Sequence, residues 1–281
     1  MMFHIFGCPM HFGVGDKGLT YSLDYFNDYC KDLEITMLPE ITMPEYNLKN
    51  LKNLNSVIAT CEQIAEEGRK AIKNGEVPLF IAGDHSSVIG TISASATCYD
   101  NLGLIWIDAH PDINTDATTV TGNIHGMPVA ALLGMGEKRL TQILTPDVKL
   151  RPENIVMIGL RDIDPPEATF LEKLKIRHYT YDEVLKRGLE ACLNDTVSYL
   201  SHLKHVHISF DIDVMDPAFL PGVSVPVPDG FKEAEAFRIM DRLMTELPIS
   251  SYDIVEYNAE HDTDDKTAAF AKKLAHFILK H

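Results

Sequence analysis

The sequence predicts an α/β fold, a mostly parallel sheet with helices on both faces. Two observations carry that expectation. Short apolar runs alternate with longer amphipathic stretches along the chain. Polar clusters rich in acids and histidines follow directly on the apolar runs. Strand–helix alternation implies right-handed βαβ crossovers, and helices then cover both faces of the sheet. In open parallel sheets, sites form beyond the carboxyl ends of the strands.

Taken in chain order, the strands are "MFHIFG" (2–7), "VPLFIAG" (77–83), "LGLIWID" (102–108), "NIVMIGL" (154–160), "IRHYTY" (176–181), "HVHISFD" (205–211) and "SYDIVEY" (251–257). Most are rich in Val, Ile, Leu and aromatic residues, which suits strands buried on both faces. Helical patterns lie at roughly 50–74, 86–98, 126–135, 167–174, 182–200, 232–246 and 263–280. The acidic stretch "EHDTDDK" (260–266) reads as a solvated loop entering the last helix. No internal repeat, low-complexity run or Gly/Ser linker divides the chain, so one domain over 1–281 is expected.

Composition excludes several classes. The 281 residues carry 41 acidic against 25 basic groups, a net charge of −16. A nucleic-acid partner would need a basic face, so none is expected. No apolar stretch approaches a membrane span, so no membrane partner is expected either. The first residues lack the basic region of a signal peptide. Cys8, Cys30, Cys61, Cys98 and Cys192 are odd in number, scattered and without a CxxC pair. They read as free thiols, which points to a reducing, cytoplasmic setting.

The stretch "WIDAHPDI" (106–113) concentrates the chemistry. Asp108, His110 and Asp112 occupy alternate positions at the end of an apolar strand, so in extended chain they face one way. Buried charge without a partner costs several kcal/mol or more. "GDHSS" (83–87) and "DIDVMDP" (211–217) end two further strands. His85, Asp108, His110, Asp112, Asp211 and Asp213 thus supply four carboxylates and two imidazoles. Carboxylates suit Mn or Mg and imidazole suits transition metals, so the mixture suits Mn²⁺, with Zn, Fe or Co as alternatives. Four carboxylates overload one divalent ion, whereas bridging carboxylates serve two. Two ions about 3.5–4 Å apart clamp and acidify a water between them.

Each motif alone has a blander reading. D-x-H can be a hydrogen-bonded pair, D-x-D a turn, and "GDHSS" a helix cap. It is their joint placement at three strand ends that favours a metal centre. His125, in "TGNIHGMP", is either a loop histidine or a proton shuttle titrating near neutral pH. His202, His205 and His207 read as core or surface groups.

"GDHSS", "DAHPDIN" and "SFDIDVMDPAFLPG" resemble, in order and spacing, the three metal-binding segments of the ureohydrolase family of arginases, agmatinases and relatives. The resemblance runs from about residue 77 to 260. It implies a three-layer α/β/α fold with a mostly parallel sheet of about eight strands. It also implies two Mn²⁺ per chain and a bridging hydroxide that attacks a guanidinium carbon and releases urea. His85, Asp108, Asp112 and Asp211 would hold one ion. Asp108, His110, Asp211 and Asp213 would hold the other, with Asp108 and Asp211 bridging. Glu256, in "DIVEYN", matches the acid that pairs with the substrate guanidinium, and His125 the histidine that gives a proton to the leaving amine. Asp112, with these two, falls among the catalytic positions.

The loop "DINTDATTVTGNIHGMPVAALLG" (112–134) is closest to arginases. There the positions of Asn114 and Thr121 contact the substrate's α-carboxylate, while Asp162, Asp164 and Glu167 match positions at its α-amino end. The alternative is turn and capping chemistry alone, since Asn, Thr and Gly favour turns. The segment "PGVSVP" (221–226) departs from the family's usual "P-G/A-T-G-T-P", with Val223 and Val225 in place of threonines. Each lost hydroxyl removes a hydrogen bond worth about 0.5–1.5 kcal/mol. The expected activity is hydrolysis of L-arginine to L-ornithine and urea. The alternatives are an agmatinase, guanidinobutyrase or formimidoylglutamase, or a non-catalytic member. A phosphoesterase fits poorly, because Glu256 would repel phosphate. The resemblance also implies a homo-oligomer, a trimer or hexamer.

Overall fold

The computed structural model describes residues 2–16, 18–45 and 48–281. Its strands are β1 (Phe3–Cys8), β2 (Ile35–Met37), β3 (Val77–Ala82), β4 (Gly103–Ile107), β5 (Ile155–Leu160), β6 (Arg177–Thr180), β7 (Val206–Asp211) and β8 (Ile249–Val255). They form one sheet in the order β2-β1-β3-β8-β7-β4-β5-β6. All its pairings are parallel. The carboxyl ends of the central strands β3, β8, β7, β4 and β5 therefore open on one edge, as the sequence predicts.

The helices are α1 (Leu19–Tyr29), α2 (Leu54–Lys73), α3 (Val88–Ala96), α4 (Pro128–Leu132), α5 (Lys138–Thr141), α6 (Pro165–Leu174), α7 (Tyr181–Arg187), α8 (Leu189–Leu200), α9 (Glu233–Glu246) and α10 (Lys266–Lys280). The two-residue period of the strands sorts the core into two layers. Ile105 and Ile107 of β4, with Leu79 and Ile81 of β3, pack against α1, α8, α9 and α10 through Phe26, Leu193, Ile239 and Phe270. Leu104 and Trp106, with Phe80 and Ala82, pack on the other face against α2, α3, α4 and α6. A smaller cluster of Met10, Phe12, Leu54, Val57, Ile89 and Ile124 supports the loops above α2 and α3. This is the expected α/β/α arrangement.

The structure differs from the sequence reading at four places. The reading places no element between residues 8 and 49, where α1 and β2 lie. β2 is a three-residue edge strand, too short and too exposed for a burial pattern. The helix predicted over 182–200 is two helices, because Gly188 breaks it at φ 87. The short α5 is a single turn that the reading does not predict. The predicted strand over 251–257 lies two residues earlier, as Ile249–Val255, because Glu256 turns the chain at φ 67.

Candidate metal and substrate site

The site is assembled from the ends of five strands. After β3, Gly83 lies against the loop that follows β1, where an added Cβ would sit 1.7 Å from the Met10 carbonyl oxygen. That close approach admits only glycine. Asp84 then caps the turn that carries His85, its Oδ1 accepting the Ser86 amide and hydroxyl. Its Oδ2 accepts the Gly13 amide at 2.8 Å, which draws the loop after β1 over the site. Capping and presentation of His85 are thus one arrangement, as the sequence allows.

His85 is buried and stacks on Trp106 at 3.9 Å between ring centroids. Its Nε2 meets Ser209 Oγ at 2.9 Å. Its Nδ1 faces Asp108 Oδ2 at 3.0 Å, Asp112 Oδ2 at 3.2 Å and Asp211 Oδ2 at 2.9 Å. A second group lies beside the first. His110 Nδ1 is 2.9 Å from Asp213 Oδ2 and 3.5 Å from Asp108 Oδ1. Asp108 contributes one oxygen to each group. Asp211 reaches the first through Oδ2, while its Oδ1 accepts the Asp213 amide at 2.7 Å. All six sequence-predicted ligands are therefore brought together.

These side chains fit metal ions. His85 Nδ1 and Asp108 Oδ2 are buried, yet neither has an aligned hydrogen-bond partner. Buried polar atoms normally have one. Ligand atoms of His85, Asp108 and Asp211, and of Asp108, His110 and Asp213, lie within 4.8 Å of one another. Ser209 against Nε2 would be the outer hydrogen bond that orients His85 as a ligand.

The charges point the same way. Burial raises the Asp211 carboxyl well above the carboxylate range, reinforced by Asp213 and Asp108. Burial and the Asp108 charge hold Asp213 at about 6. Burial would lower the two histidines, but facing carboxylates hold both well above the imidazole range. The cluster is short of positive charge, which divalent cations would supply. Asp112 sits at φ 45 and Glu256 at φ 67. Left-handed backbone at residues other than glycine costs about 1–3 kcal/mol and gathers at functional sites.

A cavity of about 280 Å³ opens on these groups, lined in part by His110, Asp112, Asp211, Asp213, His125 and Glu256. Asn114, Thr121, Asp162, Asp164 and Glu167 also line it. Glu256 Oε1 accepts the His85 amide at 2.9 Å and lies 3.3 Å from His125 Nδ1, while Oε2 is buried and unpartnered. Burial would lower His125, yet Glu256, Asp112 and Asp84 hold it up at about 9. Burial, with the Asp112 charge, raises Glu167 to about 8.

Several lining residues have structural work as well. Asp164 and Glu167 form the capping box that starts α6. Glu167 Oε1 also accepts the Ile113 amide at 3.0 Å, and Asn114 Nδ2 donates to Asp164 Oδ2 at 3.0 Å. Thr115, Thr118, Thr119 and Thr121 hold the 112–134 loop through turn hydrogen bonds. The capping and turn chemistry expected for this loop is present, and Asn114, Thr119, Thr121, Asp164 and Glu167 also line the cavity. Val225 lines the cavity, whereas Val223 is buried in a bridge with Tyr257.

Sequence reasoning missed Ser209, Val14, Thr119, Val120 and Asn123, although the last four line the cavity. Ser209 had a signal, because it precedes Asp211 by two and shares its strand face. Val14 had none, since only the fold brings its loop over the site. His207, read as core or surface, is buried, with Nε2 2.6 Å from Asp253 Oδ2 and Nδ1 2.6 Å from Ser251 Oγ. The five cysteines are free, and Cys98 is partly exposed. Among the described residues, no helix is long and apolar enough to cross a membrane.

Comparisons with known proteins agree with this architecture. The model of the arginase family matches residues 3–280. An arginase of Bacillus caldovelox is 40% identical, with 96% of this chain and 95% of that protein covered. The crystal structure of arginase from Bacillus subtilis superposes with a TM-score of 0.89 at 35% identity, covering 100% of this chain and 99% of that one. Arginase of Entamoeba histolytica, solved in complex with L-ornithine, gives a TM-score of 0.90 at 28% identity, with 99% of each chain covered.

Proposed function

The chain belongs to the arginase family, and from that premise we propose that it hydrolyses L-arginine to L-ornithine and urea with two Mn²⁺ per chain. One observation carries the proposal. Two carboxylate–imidazole groups sharing Asp108 face the same cavity as Glu256, whose Oε2 is buried and unpartnered. The first is a cation cradle, and the second is a ready acceptor for a planar cation.

His85, Asp108, Asp112 and Asp211 would hold one ion, and Asp108, His110, Asp211 and Asp213 the other. When bound, such ions supply the Lewis acidity that makes water nucleophilic near neutral pH. Glu256 would take the guanidinium in charge-assisted hydrogen bonds, strongest when bidentate. Its Oε1 is already turned by the His85 amide, so substrate and cation cradle share one anchor. His125, 3.3 Å from Glu256, whose carboxylate favours its protonated form, would hand a proton to the departing amine. The atoms balance: water adds to the guanidinium carbon, the C–N bond to the side chain breaks, and the amine leaves protonated. Asn114 and Thr121 would meet the α-carboxylate, and Asp162, Asp164 and Glu167 the α-amino group. The Entamoeba relative's complex with L-ornithine supports an amino-acid product. We read 1–281 as one such domain, cytoplasmic and assembled as a trimer or hexamer, which sedimentation would test.

The experiment is a substrate panel with manganese. Arginine should be turned over faster than agmatine, guanidinobutyrate or formiminoglutamate, with ornithine and urea formed in equal amounts. Equal or faster turnover of any of the other three would overturn the choice of arginine.

A further inference from the structure

Arg161 directly follows β5, yet its guanidinium makes no hydrogen bond to a carboxylate among the described residues. Instead it donates to backbone carbonyls from three parts of the chain. Nη2 reaches the Asp213 carbonyl at 2.8 Å, Val227 at 3.1 Å and Met215 at 3.2 Å. Nη1 reaches Val214 at 3.1 Å and Gly159 at 3.4 Å, and Nε reaches Pro228 at 3.2 Å. Arginine usually pairs its planar fork with carboxylate or phosphate. Here the fork is spent on main chain.

The main chain it holds belongs to the site. The Arg161 amide donates to the Ala109 carbonyl at 2.8 Å, and the Ala109 amide to Asp213 Oδ1 at 3.2 Å. A closed circuit results: Arg161 side chain to Asp213 carbonyl, Asp213 carboxylate to Ala109 amide, Ala109 carbonyl to Arg161 amide. It ties the ends of β4, β5 and β7 together and fixes Asp213 at both its carbonyl and its carboxylate. Through Val227 and Pro228 the same guanidinium anchors the segment that presents Val225 to the cavity. Gly230 leaves room for it, since a Cβ there would sit 2.8 Å from Arg161 Nη2 and 2.7 Å from the Val214 carbonyl oxygen.

We propose that Arg161 is a positioning residue: its guanidinium straps the 213–215 and 227–228 backbone so that Asp213 and the Val225 wall hold their places. The proposal rests on the reading of Asp108, His110 and Asp213 as metal ligands. Lysine keeps the charge but offers three donors from a point rather than five in a fork. Arg161→Met removes every donor and opens the circuit, and Arg161→Lys cannot reach all six carbonyls at once.

Two measurements test it. Hydrogen exchange on the metal-free protein should show faster amide exchange at 213–215 and at Val227, Asp229 and Gly230 in both variants, with α10 unchanged. Calorimetric titration with manganese should show one of the two ions bound about 10- to 100-fold more weakly, the range for outer hydrogen-bond partners of metal ligands. Arg161→Lys should be milder than Arg161→Met in both. Wild-type exchange in the two segments with wild-type affinity for both ions would overturn the proposal. So would loss of the whole fold in both variants, which would make Arg161 a stability residue only. If the wild-type protein binds two ions but leaves arginine intact, the substrate reading fails and the strap stands.

Discussion

His125 and Asp213 lie in one cavity but should fail differently. Asp213 Oδ2 faces His110 Nδ1 at 2.9 Å, so Asp213→Ala removes a ligand atom from the second group. It should leave one manganese by metal analysis and little activity. His125 touches neither group, so His125→Ala should keep both ions and lower kcat by about 10²–10⁴, the usual contribution of a general acid. Wild-type turnover and metal content in both variants would refute the site. His125 also links pH to stability in the metal-free protein. Glu256, Asp112 and Asp84, against the pull of burial, hold it at about 9, above its unfolded value near 6.5. A raised histidine stabilises fully below its unfolded pKa, and that contribution is lost as pH rises to the folded pKa. The melting temperature of the metal-free wild type should therefore fall relative to His125→Ala between about pH 6.5 and 9. Parallel melting curves across that window would contradict it. Asp213 was legible because it follows an apolar strand, and His125 because it precedes an apolar helix in a loop that resembles those of arginases. Arg161 was not, because its partners are carbonyls, and a carbonyl leaves no mark in a sequence.

At the scale of elements, legibility followed burial. β4 and β7 are buried along their whole length and read correctly to within one residue at each end. β2 pairs only with β1 and buries little, so no periodicity betrays it. Gly188 splits one predicted helix into α7 and α8 through a positive φ that a periodicity count does not register. The start of α6 shows how element and site share residues. Asp164 is its N-cap, and Glu167 closes the box by accepting the Asp164 amide at 3.0 Å. Asp164 Oδ2 also takes a hydrogen bond from Asn114. Removing such a cap costs about 0.5–2 kcal/mol. Asp164→Ala should therefore lower the melting temperature, whatever else Asp164 does. If it also receives the α-amino group of arginine, KM should rise several-fold while kcat stays close to wild type. A lower melting temperature with unchanged KM would leave Asp164 a cap alone. The sequence carried both readings, and the structure keeps them compatible by pointing the cap toward the cavity.

At the scale of the molecule, the parallel sheet decides where charge collects. All its central strands point one way, so the polar residues that follow them meet at one edge. Asp84, Asp108, Asp112, Asp211, Asp213 and Glu256 are all buried there. Against them stand three histidines, His85, His110 and His125, and the Arg161 guanidinium near Asp213 and Asp108. These six acids are part of the chain's net charge of −16, and here they are concentrated in one buried place. Cations that bind this edge only in the folded state must therefore stabilise the whole fold. Ligand linkage gives about 2.7 kcal/mol for one ion at 100 times its Kd. At about 2–4 °C per kcal/mol for a chain of this size, each ion should raise the melting temperature by roughly 5–10 °C. Chelator-treated protein should regain that increment with Mn²⁺, and the rise should continue with the logarithm of free manganese. Asp213→Ala should show about half of it, and His125→Ala nearly all. An equal melting temperature with and without manganese, in a protein that folds, would show that the buried acids are balanced by protons, histidines and Arg161 alone, and the two-ion centre would have to be abandoned.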